Sequence, residues 1–246
     1  MIDNKFLIPA DMDQEDVAYN FETYNLVSAG VVDNENKLIG MITADDIVTI
    51  LKEETEEDTF RLAGVSEEDI SDSAIDITKK RFIWLTLNLI TAVIASLVIG
   101  LFDENIEKVV ALAILMPIVA SMGGNAATQT LTVTVRLLAT KELISSNIRK
   151  IISKEFLVGF FNGIIFAFIT AILILFWFND KNLSILIGLA MIINMSIAGL
   201  FGILTPLTLD KFKIDPAIAS SVFVTTITDV IGFLSFLGLA SFVLGI

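Results

Sequence analysis

The chain has 246 residues, 54% of them apolar, with a mean hydropathy of +0.78, 29 acidic against 16 basic residues, and neither His nor Cys. That apolar share lies above the range of soluble domains and excludes intrinsic disorder. Lacking thiols and imidazoles, the sequence cannot build a disulfide, a zinc–thiolate site or a Ser-His-Asp triad, so a metal would sit on oxygen ligands, which suits Mg²⁺, Ca²⁺ or Mn²⁺. Charge divides the chain. Residues 1–76 hold 20 acidic and 4 basic side chains, net −16, whereas residues 77–246 are net +3. An acidic head argues against a nucleic-acid partner and suits multivalent cations.

In chain order, Asp13 is a predicted cap for a helix over Gln14–Tyr24. Val27–Ile42 reads as two short strands around the turn Asp33-Asn34-Glu35-Asn36. Thr43, with Asp46 three residues on, starts a second helix expected to run to about Leu51. The order helix–strand–strand–helix, with Val31-Val32-Asp33 and Leu38-Ile39-Gly40-Met41-Ile42-Thr43-Ala44-Asp45-Asp46, resembles the second CBS motif of a tandem pair. No first motif is found. A partial CBS domain over 1–62 leaves one sheet half bare, so the head is expected to pair with another copy in a homodimer.

Glu53-Glu54-Thr55-Glu56-Glu57-Asp58 reads either as a solvated, like-charged helix end or as a low-affinity divalent-cation sensor, with Glu54, Glu57 and Asp58 as candidate ligands. Ser66 is then expected to cap an acidic amphipathic helix, with Ile70, Ala74 and Ile77 on one stripe, inside a connector over 63–81.

Five uncharged or nearly uncharged runs follow, over about 82–102, 109–135, 156–179, 182–209 and 216–246. Each is long enough to cross roughly 30 Å of hydrocarbon. The first begins far from Met1, unlike a cleaved signal peptide. Ten Lys and Arg flank the runs on one side, and only Lys108 and Lys181 fall on the other. The positive-inside rule therefore predicts a cytoplasmic head and an external Ile246 in a plasma or inner membrane. The expected fold class is a multi-domain membrane protein: an all-α five-helix bundle preceded by a small α/β head.

Two stretches inside the bundle carry polar chemistry. Val109–Met122 is short for a crossing and leads into Gly123-Gly124, a pair that permits a kink or a close helix approach. Asn125, Thr128, Gln129, Thr130, Thr132 and Thr134 follow, more polar groups than packing needs, and they suggest a pore or cavity lining. In the last run, Asp229 is the one ionisable group. Ionised at the bilayer centre it costs about 2.5–3.5 kcal/mol, and the sequence offers no cation at comparable depth. Thr225 lies four residues earlier on the same helical face, and Ser221 continues that line, so Asp229, Thr225 and Ser221 form a candidate cation site.

Met116-Pro117 through Arg136, with its Gly-Gly-Asn-Ala-Ala-Thr-Gln-Thr core, together with Thr228-Asp229-Val230-Ile231-Gly232 and Asp215-Pro216-Ala217, resembles the MgtE family of magnesium channels. The resemblance extends over nearly the whole chain, including Arg61-Leu62-Ala63-Gly64-Val65. It implies a homodimer of five-span subunits with one pore on the dimer axis, and a largely hydrated Mg²⁺ held by Asp229 of each subunit. It further implies a backbone carbonyl from Thr225, a polar lining from Asn125, and a gating role for Asp215 on the cytoplasmic face. Where some members have Asn-Pro, this chain has Ser221-Val222, which changes the innermost ring of the expected pore. The function expected is inward Mg²⁺ conduction, gated by cytosolic Mg²⁺ on the acidic head. No enzymatic activity is expected. A proton-coupled exchanger of Mg²⁺, Mn²⁺ or Co²⁺ is the alternative. No Walker-type Gly-Lys-Ser/Thr sequence supports ATP-driven pumping.

Overall fold

A computed structural model describes residues 7–65, 72–144, 146–217 and 220–245. The described part of the head opens with a short strand, β1 (Leu7–Pro9), which the sequence reading did not anticipate. Helix α1 (Gln14–Tyr24), strands β2 (Ser28–Val32) and β3 (Leu38–Thr43), and helix α2 (Ala44–Leu62) follow. β2 is central, parallel to β1 and antiparallel to β3. Asp13 caps α1 through Glu15 N–H. The Thr43 backbone N–H donates to the Asp46 carboxylate at 2.8 Å, one arm of the capping box, and the Thr43 hydroxyl donates to the same carboxylate at 2.7 Å. Ile8, Val17, Ala18, Phe21, Ala29 and Ile47 form the head's small core. Leu38, Ile39 and Met41 of β3 remain exposed, consistent with a sheet half that lacks a cover.

Helix α2 continues past Leu51 to Leu62, a correction to the sequence expectation. Glu53–Asp58 therefore lies inside a helix and not at its frayed end. Lys52 pairs with Glu56 and Arg61 with Glu57, each four residues apart, and these contacts offset the like-charge repulsion.

The expected cap at Ser66, and Ile70 of its stripe, lie outside the described residues. Helix α3 (Ala74–Gly100) is capped by Ser73, whose hydroxyl accepts from Asp76 N–H. It runs without a break through Lys79, Lys80 and Arg81 into the first span, so the second half of the expected connector and that span are one rod. A short α4 (Asp103–Lys108) joins α3 to α5 (Ala111–Ala139), and then come α6 (Ile148–Phe178), α7 (Lys181–Lys211) and α8 (Ser220–Leu244). Among the described residues, five helices are long and apolar enough to cross a membrane. With 25 to 31 residues each, they extend about 37–46 Å.

α7 is the most buried of the five, and α5, α6 and α8 pack around it. α3 lies at the edge, against α8. Leu112, Leu115 and Val119 of α5, Leu186, Ile187 and Met191 of α7, and Phe236 and Leu237 of α8 are fully buried in one core. The head sits at the end of the bundle that carries the α5–α6 and α7–α8 loops. Asp16 of α1 pairs with Lys141, and Arg61 of α2 pairs with Asp215.

Candidate functional site

On α5 the polar residues divide between two faces. Ser121, Asn125, Gln129, Thr132 and Arg136 are exposed, and their spacing of three to four residues aligns them in one stripe along the helix. Asn125 Nδ2 donates to Ser121 Oγ at 3.4 Å within that stripe. Thr128 lies on its edge, its hydroxyl donating to Gly124 O at 2.9 Å. Thr130 and Thr134 turn the other way and are buried. Thr130 Oγ1 donates to Glu155 Oε2 of α6 at 3.2 Å, and Thr134 Oγ1 to Thr130 O at 2.8 Å. So four of the six polar residues predicted to line a cavity are on or beside the open stripe, and two serve packing.

α8 lies beside that stripe. A Cβ on Gly124 would stand 3.5 Å from Thr225 Cγ2, so the two helices touch one residue before Asn125. Ser221, Thr225 and Asp229, at i, i+4 and i+8, are half-buried on the flank of α8. Thr225 Oγ1 donates to Ser221 O at 2.6 Å, and the Thr225 carbonyl accepts from Thr228 Oγ1 at 2.9 Å. Among the described residues, no cation or hydrogen-bond donor meets the Asp229 carboxylate. The sequence-predicted set Asp229, Thr225, Ser221 and Asn125 therefore falls on two adjoining helices.

The second predicted set lies in the seam between head and bundle. Arg61 bridges Glu57 and Asp215, whose carboxylate also accepts from Ala217 N–H at 2.7 Å. Glu54, Glu57, Arg61 and Asp215 line one open cavity of about 420 Å³, and Asp58 borders the adjacent one with Asp210 and Asp215. Among the described residues, no three carboxylates converge closely enough to hold a metal ion. Arg61 is the cation that draws the two elements together. Burial, reinforced by neighbouring carboxylates, raises Glu15 and Glu54 above the usual carboxylate range, and burial does the same to Asp58.

Sequence reasoning missed Asn194. It sits fully buried on α7, and its Nδ2 donates to Val119 O of α5 at 2.7 Å. Its signal was available: a carboxamide at the centre of the uncharged run 182–209.

Comparison with known proteins follows the same division. A CBS domain model matches residues 1–53, and the MgtE model, described as a divalent cation transporter, matches residues 116–239. The chain is 33% identical over 229 residues to the magnesium transporter MgtE of Enterococcus faecalis, covering 93% of this chain and 51% of that protein. Against the magnesium transporter MgtE of Bacillus subtilis it is 33% identical over 238 residues, covering 96% and 53%. Against that of Thermus thermophilus it is 31% identical over 240 residues, again covering 96% and 53%. The chain thus spans about half the length of these curated relatives. Asn125, Asp215, Thr225 and Asp229 all fall within the matched membrane segment, and the chain belongs to the MgtE family of divalent cation transporters.

Proposed function

We propose that the chain conducts Mg²⁺ into the cytoplasm down its electrochemical gradient, with the ion held by Asp229 from two subunits across a dimer axis. The observation that carries this reading is the uncovered polar stripe of α5 beside Asp229 of α8. Lipid satisfies neither amides nor a carboxylate, so such a face needs water or a second copy of itself. A two-fold axis along the stripe supplies both, enclosing a wet passage between two copies of α5 and α8. The names of the relatives, all magnesium transporters, favour Mg²⁺ as cargo.

Mg²⁺ releases its water reluctantly and prefers octahedral oxygen coordination. Two carboxylates facing each other can hold the hydrated ion through water, and Asn125, Thr225 and Ser221 can orient that water. Selection then rests on charge density, with little dehydration cost. A divalent ion moving inward gains about 4.6 kcal/mol per 100 mV, so the membrane potential alone can drive uptake. Basic flanks on the α5–α6 and α7–α8 loops favour a cytoplasmic head and an external end of α8. There, cytosolic Mg²⁺ acts on Glu54, Glu57, Asp58 and Asp215. It neutralises the crowded carboxylates and holds the head against the bundle, as Arg61 already does for two of them.

The test is Mg²⁺ flux into liposomes containing the purified chain. Asp229→Asn should reduce uptake to the empty-liposome level while the protein keeps its size and melting behaviour; unaltered uptake refutes the proposal. Proton-coupled exchange, the other use of a membrane carboxylate, would make uptake follow an imposed pH gradient, whereas conduction follows voltage.

A further inference from the structure

Helices α5 and α8 carry the candidate ion site, but α7 sets their spacing at the depth of that site. Asn194 of α7 has no exposed surface, and its carboxamide lies against both neighbours. On one side a Cβ at Gly123 would overlap the amide nitrogen. On the other, a Cβ at Gly232 would stand 2.9 Å from Nδ2 and 3.2 Å from Oδ1. A side chain at either position would meet the amide, and must turn the Asn194 carboxamide from its place or push α5 or α8 off α7. Gly123 is two residues before Asn125, and Gly232 is three residues after Asp229, less than one turn away in each case.

The amide also ties rather than merely fills. Nδ2 donates to Val119 O of α5, while Oδ1 is the one buried side-chain polar atom without a partner among the described residues. Its α7 neighbours one turn away on the same side, Met191 and Ala198, are apolar and pack without such a cost. A half-satisfied amide in the middle of a membrane helix is costly, and its retention calls for a role that an apolar residue cannot fill.

We propose that Asn194 is a positioning residue for ion passage: its carboxamide, clamped between Gly123 and Gly232 and bonded to Val119, fixes the distance between the α5 stripe and Asp229. The inference rests on the reading of Asp229 as the ion-holding group. Asn194 itself does not touch the ion. It acts through the helix spacing, so its loss should alter how the site recognises Mg²⁺ and not only how much protein folds.

The experiment uses the full chain in liposomes, with Asn194→Leu, Asn194→Ala, Gly232→Ala and the double variant Asn194→Ala with Gly232→Ala. Flux is measured against Mg²⁺ concentration and against K⁺, and is normalised to folded protein. Asn194→Leu and Gly232→Ala should shift the half-saturating Mg²⁺ concentration or the Mg²⁺-over-K⁺ discrimination by about tenfold, as a small misplacement of a binding geometry does. Asn194→Ala should shift the same quantities, and the double variant, which has lost the amide that Gly232→Ala would overlap, should be no worse than Asn194→Ala alone. If the variants only lower the yield of folded protein, leaving half-saturation and discrimination per folded molecule as in the parent, the proposal is overturned. Asp229→Asn run alongside separates the two failures. Should it abolish uptake while the Asn194 variants behave as the parent, only the positioning role falls; should it leave uptake intact, the site reading falls first.

Discussion

Helix pairs α6–α7 and α5–α8 both have glycine in their contacts, and they differ in how closely they approach and in what they turn outward. In the first pair, a Cβ on Gly159 would overlap the Met195 carbonyl, and one on Gly199 would lie 2.5 Å from the Glu155 carbonyl. The outer surface of α6 then presents Phe161, Phe168 and Trp177, which lipid covers without help. In the second pair, Gly124 admits Thr225 and the outer surface is amide, hydroxyl and carboxylate. The first pair packs backbone to backbone and the second at ordinary contact distance, and only the second leaves a surface that hydrocarbon cannot solvate. On the proposed reading, that difference separates a scaffold from the ion path.

Breaking the scaffold should cost the most stability. Gly199→Val forces branched atoms into the Glu155 backbone and should destabilise the bundle by about 3 kcal/mol, read as a lower midpoint in detergent unfolding. Flux per folded molecule should stay near that of the parent. The stripe should answer in the opposite sense: Gln129→Leu leaves the melting curve in place and lowers Mg²⁺ flux by about tenfold, because it replaces a water-facing amide with a hydrocarbon. If Gln129→Leu unfolds the protein and Gly199→Val does not, the roles assigned to the two pairs are reversed.

A smaller effect sharpens the boundary between bundle and head. Burial raises Glu15, Glu54 and Asp58, which means the docked head holds protons more tightly than a released one. Docking contributed by these groups is therefore strongest at low pH and weakens as pH rises from the usual carboxylate range through their raised values. Protease protection of α2 should fall severalfold from mildly acidic to neutral solution and be restored by millimolar Mg²⁺. Protection that grows with pH would contradict this sign.

Much of this was legible in the sequence where a local rule decides the outcome. Asp13, Thr43 and Asp46 announce their helix starts because a cap is chemistry between near neighbours. The five spans follow from uninterrupted apolar length, and Asp229 is conspicuous as a lone carboxylate in one of them. What was missed depends on distant partners. β1 has only three residues and exists because β2 offers it an edge. The reach of α2 through five carboxylates depends on Lys52 and Arg61 placed one turn from the acids they offset. The division of the α5 polar residues, with Thr130 turned towards Glu155 and Gln129 towards the open side, is invisible until α6 and α7 take their places. Asn194 escaped notice because a single amide in a long apolar run has no pattern of its own; Gly123 and Gly232, which give it meaning, lie 71 residues before and 38 residues after it.

The central claim is that the α5 stripe faces water inside the membrane. The chain contains no cysteine, so single-cysteine variants report on one position each. Asn125→Cys and Gln129→Cys, reconstituted in liposomes, should react with a charged, membrane-impermeant thiol reagent, and Mg²⁺ should slow the reaction at Asn125→Cys. Phe161→Cys and Phe168→Cys on the outer face of α6 should stay unmodified. Stripe positions that react no faster than these two would place α5 against lipid or in a dry contact and would contradict the account.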